Sequence, residues 1–72
     1  MNEQTLKVLP KYAHPGEYLL CSLWQDDGKW HLLIVLWDEF TQTITHNCLH
    51  KTEHATRFGC LRTIIDWRDN SC

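Results

Sequence analysis

Residues 18–37, YLLCSLWQDDGKWHLLIVLW, decide the fold. Asp27-Gly28 sits between two long apolar runs. An Asp-Gly pair in that setting is a strong hairpin signal, because a type I′ turn needs positive φ at both central positions. With these two residues as the loop, Asp26 opposes Lys29, Gln25 opposes Trp30 and Trp24 opposes His31. Side chains alternate across a strand, so one face of the hairpin carries Leu19, Cys21, Leu23, Trp30, Leu32, Ile34 and Leu36. The other carries Tyr18, Leu20, Ser22, Trp24, His31, Leu33, Val35 and Trp37. Both faces are apolar, and a chain of 72 residues has little left to cover both.

Outward from the hairpin, the signals weaken. Residues 1–16 read as a lead-in segment. In it LKVL forms a short edge strand ended by Pro10, which has no N–H for a ladder, and His14-Pro15-Gly16 marks a boundary. Leu6, Val8, Leu9 and Tyr12 can fold back over some of the hairpin. After the polar break Asp38-Glu39-Phe40, the Thr-rich alternation of TQTITHNCLH reads as a third strand over 42–49. Thr52 is a helix N-cap candidate with Glu53 in the first turn, and Ala55, Phe58, Leu61, Arg62 and Ile65 recur at helical spacing. Gly59 and the β-branched run Thr63-Ile64-Ile65 speak against a helix. If they prevail, CLRTIIDW becomes a further strand of a small all-β, barrel-like domain. A span of 52–67 favours the helix.

The expectation is therefore an α+β domain over 17–72: a three-stranded antiparallel meander with one C-terminal helix on one face. Phe58, Leu61 and Ile65 should turn that helix onto the Leu/Ile-rich side. Tyr18, Leu20, Trp24, His31, Leu33, Val35 and Trp37 then remain as a partner-binding surface, of the aromatic-rich composition that interfaces favour. The alternative cover is the chain's own lead-in and tail.

Composition narrows the function classes. Hydrophobic residues make up 43% and charged residues 22%, with a net charge of −2; that balance disfavours a phosphate-backbone partner. The longest apolar run, residues 32–37, falls far short of the roughly 20 residues needed to cross a bilayer. The first residues have no apolar stretch of the signal-peptide kind, so a cytoplasmic location is the default and the cysteines (21, 48, 60 and 72) are expected as thiols. His46, Cys48, His50 and His54 are the candidates for a zinc site, since His-x-His on a strand presents ligands in a row. A four-residue loop over 38–41 would group His31, His46 and Cys48 on the Trp-rich face, whereas a three-residue loop would not. The Cys and His spacing matches no zinc-finger pattern, and no cofactor is expected. Neither a nucleophile motif nor a Gly-rich phosphate loop is present among three glycines, so no enzyme is expected. Lys29, Lys51, Arg57, Arg62 and Arg68 are the cations available to a nucleic acid, interrupted by Glu53, Asp66 and Asp69.

The order of GKWHLLIVLW, a third strand and TEHATRFGCL resembles the three-strand-plus-helix DNA-binding domains of phage and transposon integrases and of plant ethylene-response factors, over about residues 18–67. Those families read the major groove with a sheet bearing Arg, Lys and Trp. Here the candidate sheet face has two tryptophans, no arginine, and acidic residues at both turns. The resemblance therefore implies the topology more than the DNA activity. In size and layout the chain is also similar to small phage-encoded inhibitors such as anti-CRISPR proteins, without a diagnostic motif. The leading expectation is a protein-binding module, an accessory regulator or inhibitor that docks on itself as a homodimer or on a larger protein. A nucleic-acid-binding domain and a small metal-binding domain are the alternatives.

Overall fold

A computed structural model describes residues 3–11 and 14–70, the side chain of Asn70 apart. Four strands and one helix follow in order: β1 (Gln4–Val8), β2 (Glu17–Asp26), β3 (Lys29–Asp38), β4 (Thr43–His54) and α1 (Arg57–Asn70). The strands form one antiparallel sheet in the order β1-β2-β3-β4. The class is α+β as expected, with four strands where three were read and a helix in place of the all-β alternative.

The hairpin register is the expected one throughout, from Glu17 opposite Asp38 to Asp26 opposite Lys29. Asp27 (φ 53°) and Gly28 (φ 76°) both take the left-handed conformation a type I′ turn requires. The lead-in contributes β1, with Leu6 opposite Cys21 and Val8 opposite Leu19; these side chains join the helix-covered core, not the Trp-bearing face. Leu9 is exposed, and Tyr12 and Cys72 lie outside the described residues.

Beyond β1 the chain is pinned at two places. The Lys11 N–H donates to the Arg68 carbonyl at the helix C-terminus (2.8 Å), and the Glu39 N–H donates to the Gly16 carbonyl (2.8 Å). Gly16 has φ 84° and lies beneath the Phe40 ring, where an added Cβ would come within 2.6 Å of ring carbons. Only glycine satisfies both conditions.

The β3–β4 loop spans residues 39–42. Asp38 Oδ1 accepts the Phe40 N–H at 2.9 Å, and Gln42 closes the turn at φ 54°. β4 then runs twelve residues, through the segment read as a helix start. Thr52 and Glu53 are not the first turn of α1; they pair with Leu32 and His31. The helix is capped instead by Thr56, whose Oγ1 accepts the Gly59 N–H at 3.1 Å.

The core joins Leu19, Cys21 and Leu23 of β2 and Leu32 and Ile34 of β3 to Cys60 and Ile64 of α1. The helix is rotated from the expected setting. Phe58 and Ile65 are 66% and 45% exposed, and Leu61 is half-buried. Of the expected stripe 58/61/65 only Leu61 packs against the core, and Cys60, Ile64 and Trp67 supply the rest of the helix contact. Gly59 sets this rotation: its absent side chain lets the first turn rest on His54, with Cβ-to-Cβ room of 3.2 Å. That close approach turns Cys60 and Ile64 inward.

Candidate functional site

The side of the sheet opposite α1 is built from the hairpin's second set of residues. Tyr18 pairs with Trp37, Leu20 with Val35, Ser22 with Leu33 and Trp24 with His31. Pairing extends this face to Thr5 and Lys7 on β1 and to Ile44, Lys51 and Glu53 on β4. Among the described residues no helix or strand stands over it. Its side chains cover one another in part: Val35 at the centre is 9% exposed, and Tyr18, Leu20, Trp24, His31, Leu33 and Trp37 are half-buried. Ile44, beside Trp37, is 47% exposed.

Rings sit at both ends of this surface. The Trp24 indole and the His31 imidazole stack at 5.4 Å with planes 15° apart. His31 Nδ1 lies 4.0 Å from Glu53 Oε1, and Lys29 Nζ lies 3.7 Å from Glu53 Oε2. At the other end Lys7 Nζ is 4.3 Å from the Tyr18 ring centroid and 3.0 Å from Glu39 Oε2. The Trp37 indole N–H donates to the same carboxylate oxygen at 2.8 Å. The Trp37 hydrogen bond, then the Lys7 ammonium, hold the Glu39 carboxyl below its ordinary pKa. Each end is thus an aromatic pair with a matched cation and carboxylate, while Leu20, Ser22, Leu33 and Val35 between them carry no charge.

Lys7, Glu39 and Ile44 were not legible as parts of this surface. Placing Lys7 requires the long-range pairing of β1, and placing Ile44 requires the register of β4. That register is irregular: Ile34 pairs with His50, Leu36 with His46 and Trp37 with Ile44, so β4 carries extra residues in a bulge. The bulge also breaks the expected His31, His46 and Cys48 grouping. His31 faces Glu53 on the open side, and His46 pairs with Leu36, a residue of the covered side.

The other histidines make separate contacts. The His50 ring is tilted against Trp67 with centroids 5.6 Å apart. His54 Nε2 is 2.7 Å from Thr52 Oγ1 and 3.5 Å from Thr63 Oγ1. His46, Cys48, His50 and His54 therefore do not converge, and among the described residues no three His, Cys, Asp or Glu side chains gather as a ligand set. Cys48 is an exposed thiol, while burial raises the pKa of Cys60 and pushes Cys21 up to about 11.

The cations considered for nucleic acid are dispersed. Lys29 stands at the hairpin turn beside Glu53, Lys51 is on β4, Arg57 hydrogen-bonds the Gln4 side chain, Arg62 is exposed and Arg68 pairs with Asp69 at 3.1 Å. An open depression of about 350 Å³ lies where the hairpin turn meets the β4–α1 junction, lined by Gly28, Lys29, Glu53, His54 and Ala55. No described helix is long and apolar enough to cross a membrane.

The fold and its surface define a two-layer α+β domain with an aromatic sheet face that no described helix or strand covers. Comparison of the chain with protein-family models, with curated proteins and with solved structures gave no match.

Proposed function

We propose that this chain is a small intracellular protein-binding module, an accessory regulator or inhibitor that acts by stoichiometric occlusion and without turnover. One observation carries the reading: Tyr18, Trp24, Leu33, Val35 and Trp37 share a sheet face over which no described helix or strand lies. Contiguous apolar surface of this kind marks an interaction site more often than a free surface. Tyr and Trp supply large contact area at small entropic cost. At about 25 cal/mol per Å² of buried apolar area, their burial offers several kcal/mol before association costs.

The distribution of charge supports a protein partner. The centre of the face is uncharged, and the cations at its two ends already face carboxylates. The mechanism is masking: the face covers a complementary surface and keeps other ligands away.

Affinity purification from the native cell, with mass spectrometry, tests the reading. The wild-type chain is expected to retain a stoichiometric protein partner or a second copy of itself. A Trp24→Ala/Trp37→Ala variant with an unchanged far-ultraviolet circular dichroism spectrum should lose it. A folded double variant that keeps every association of the wild type would overturn the proposal.

A further inference from the structure

Resting on that reading, we propose that the occupant of the open sheet face is a second copy of this chain, packed face to face about a two-fold axis. Self-complementarity is the first argument. An isologous interface must match its own pattern when rotated. Here one ring pair, Tyr18 with Trp37, lies at one end, a second ring pair, Trp24 with His31, lies at the other, and Leu20, Ser22, Leu33 and Val35 lie between. A two-fold axis in the plane of the face, along the strands or across them, lays rings over rings and aliphatic side chains over aliphatic side chains.

Charge is the second argument. Lys7 is matched by Glu39 at 3.0 Å and Lys29 by Glu53 at 3.7 Å within one chain. An approaching copy therefore brings no like charge onto the centre. Lys51, in register with Leu33 on the edge strand β4, falls at the rim, where interfaces are polar.

Area is the third. The molecule measures 37 × 22 × 15 Å along its principal axes, so its broad side is about 800 Å² in outline. That is large enough to approach the roughly 800 Å² each partner contributes to a standard stable interface. The chain also has reason to need it. Domains of this size are commonly secured by disulfides, metals or oligomerisation, and the described cysteines 21, 48 and 60 are free thiols. Pairing two open faces turns two thin two-layer domains into a four-layer sandwich, helix–sheet–sheet–helix, with the sheets about 10 Å apart.

Light scattering coupled to gel filtration, at about 100 µM chain to favour association by mass action, tests this directly. The wild-type protein is expected to elute with the mass of two 8.6 kDa chains. Leu33→Lys, at the centre of the face, should halve that mass with native amide NMR dispersion. Arg62→Glu, on an exposed helix position, should leave it unchanged. Should Leu33→Lys not fold, Ser22→Arg places the same charge beside it at a position already polar. A dimer that survives the folded variant would overturn the proposal by putting the interface elsewhere.

A monomeric wild-type protein would also overturn it, and the Trp24 and Trp37 indole resonances then separate two cases. Strong relaxation by a soluble gadolinium chelate means an open face awaiting a different protein, and the docking reading stands. Indoles shielded within the monomer remove the docking reading as well.

Discussion

Gly59 shows how one missing side chain sets the orientation of an entire helix. On propensity alone, Gly→Ala inside a helix adds about 1 kcal/mol of stability. Here the new Cβ would stand 3.2 Å from His54 Cβ and Nδ1, and His54 Cβ cannot swing away as a flexible side-chain tip can. Gly59→Ala is therefore expected to destabilise the fold in urea, against its propensity. In a His54→Gly background, which removes that Cβ, the same substitution should recover its gain of about 1 kcal/mol. Additive effects of the two substitutions would show that the contact does not position α1.

Glu39 makes a second prediction at this scale. Its folded pKa is depressed by the Trp37 N–H and by Lys7. The stability it contributes is therefore present above the unfolded carboxylate pKa and disappears as pH falls through the lower folded value. Unfolding midpoints of wild type and Glu39→Gln should differ near neutrality and converge in acid. A gap that is independent of pH would place the effect outside this carboxylate.

Elements were legible in the sequence to the degree that their determinants are local. The hairpin was readable to the residue, because Asp27-Gly28 fixes the turn and the turn fixes the alternation. Pro10 likewise marked the end of β1, which closes at Val8. The helix starts after Thr56 and not at the expected Thr52, although the two offer the same capping hydroxyl. What separates them is the pairing of Thr52 with Leu32 and of Glu53 with His31 across the sheet, a long-range fact with no local mark. The bulge in β4 is equally silent, and with it went the expected histidine row.

The cap assignment is testable. Thr56→Ala removes the acceptor for the Gly59 N–H and should lower stability by about 1 kcal/mol, typical of a lost N-cap. The denaturant dependence should be unchanged, since the fold buries the same surface. An unchanged midpoint would mean that the first turn of α1 is not held by this hydroxyl.

At the scale of the molecule, the decisive feature is a mismatch between surface and cover. The doubly apolar hairpin supplies two faces, and the described helix packs on only one of them, the side of Leu19, Cys21, Leu23, Leu32 and Ile34. That much follows from counting side chains along two strands, which is why the open face could be anticipated although the helix's own contact stripe could not. The charges around that face were the unreadable part, since each pair spans distant segments: Lys7 with Glu39, Lys29 with Glu53. Their consequence is a prediction about salt. Because these cations are matched within the chain and the centre is uncharged, association through this face, with itself or with another protein, should release few counterions. A tenfold rise in sodium chloride is expected to change its dissociation constant less than about threefold, as exposed charge pairs are screened and apolar burial is not. Even three phosphate contacts would weaken binding by roughly 500-fold over the same range. Isothermal titration or dilution calorimetry at two salt concentrations reads this directly, and repeated at two temperatures should also return the negative heat-capacity change of apolar burial. A steep salt dependence would show that charge, and not apolar burial, dominates association through this face.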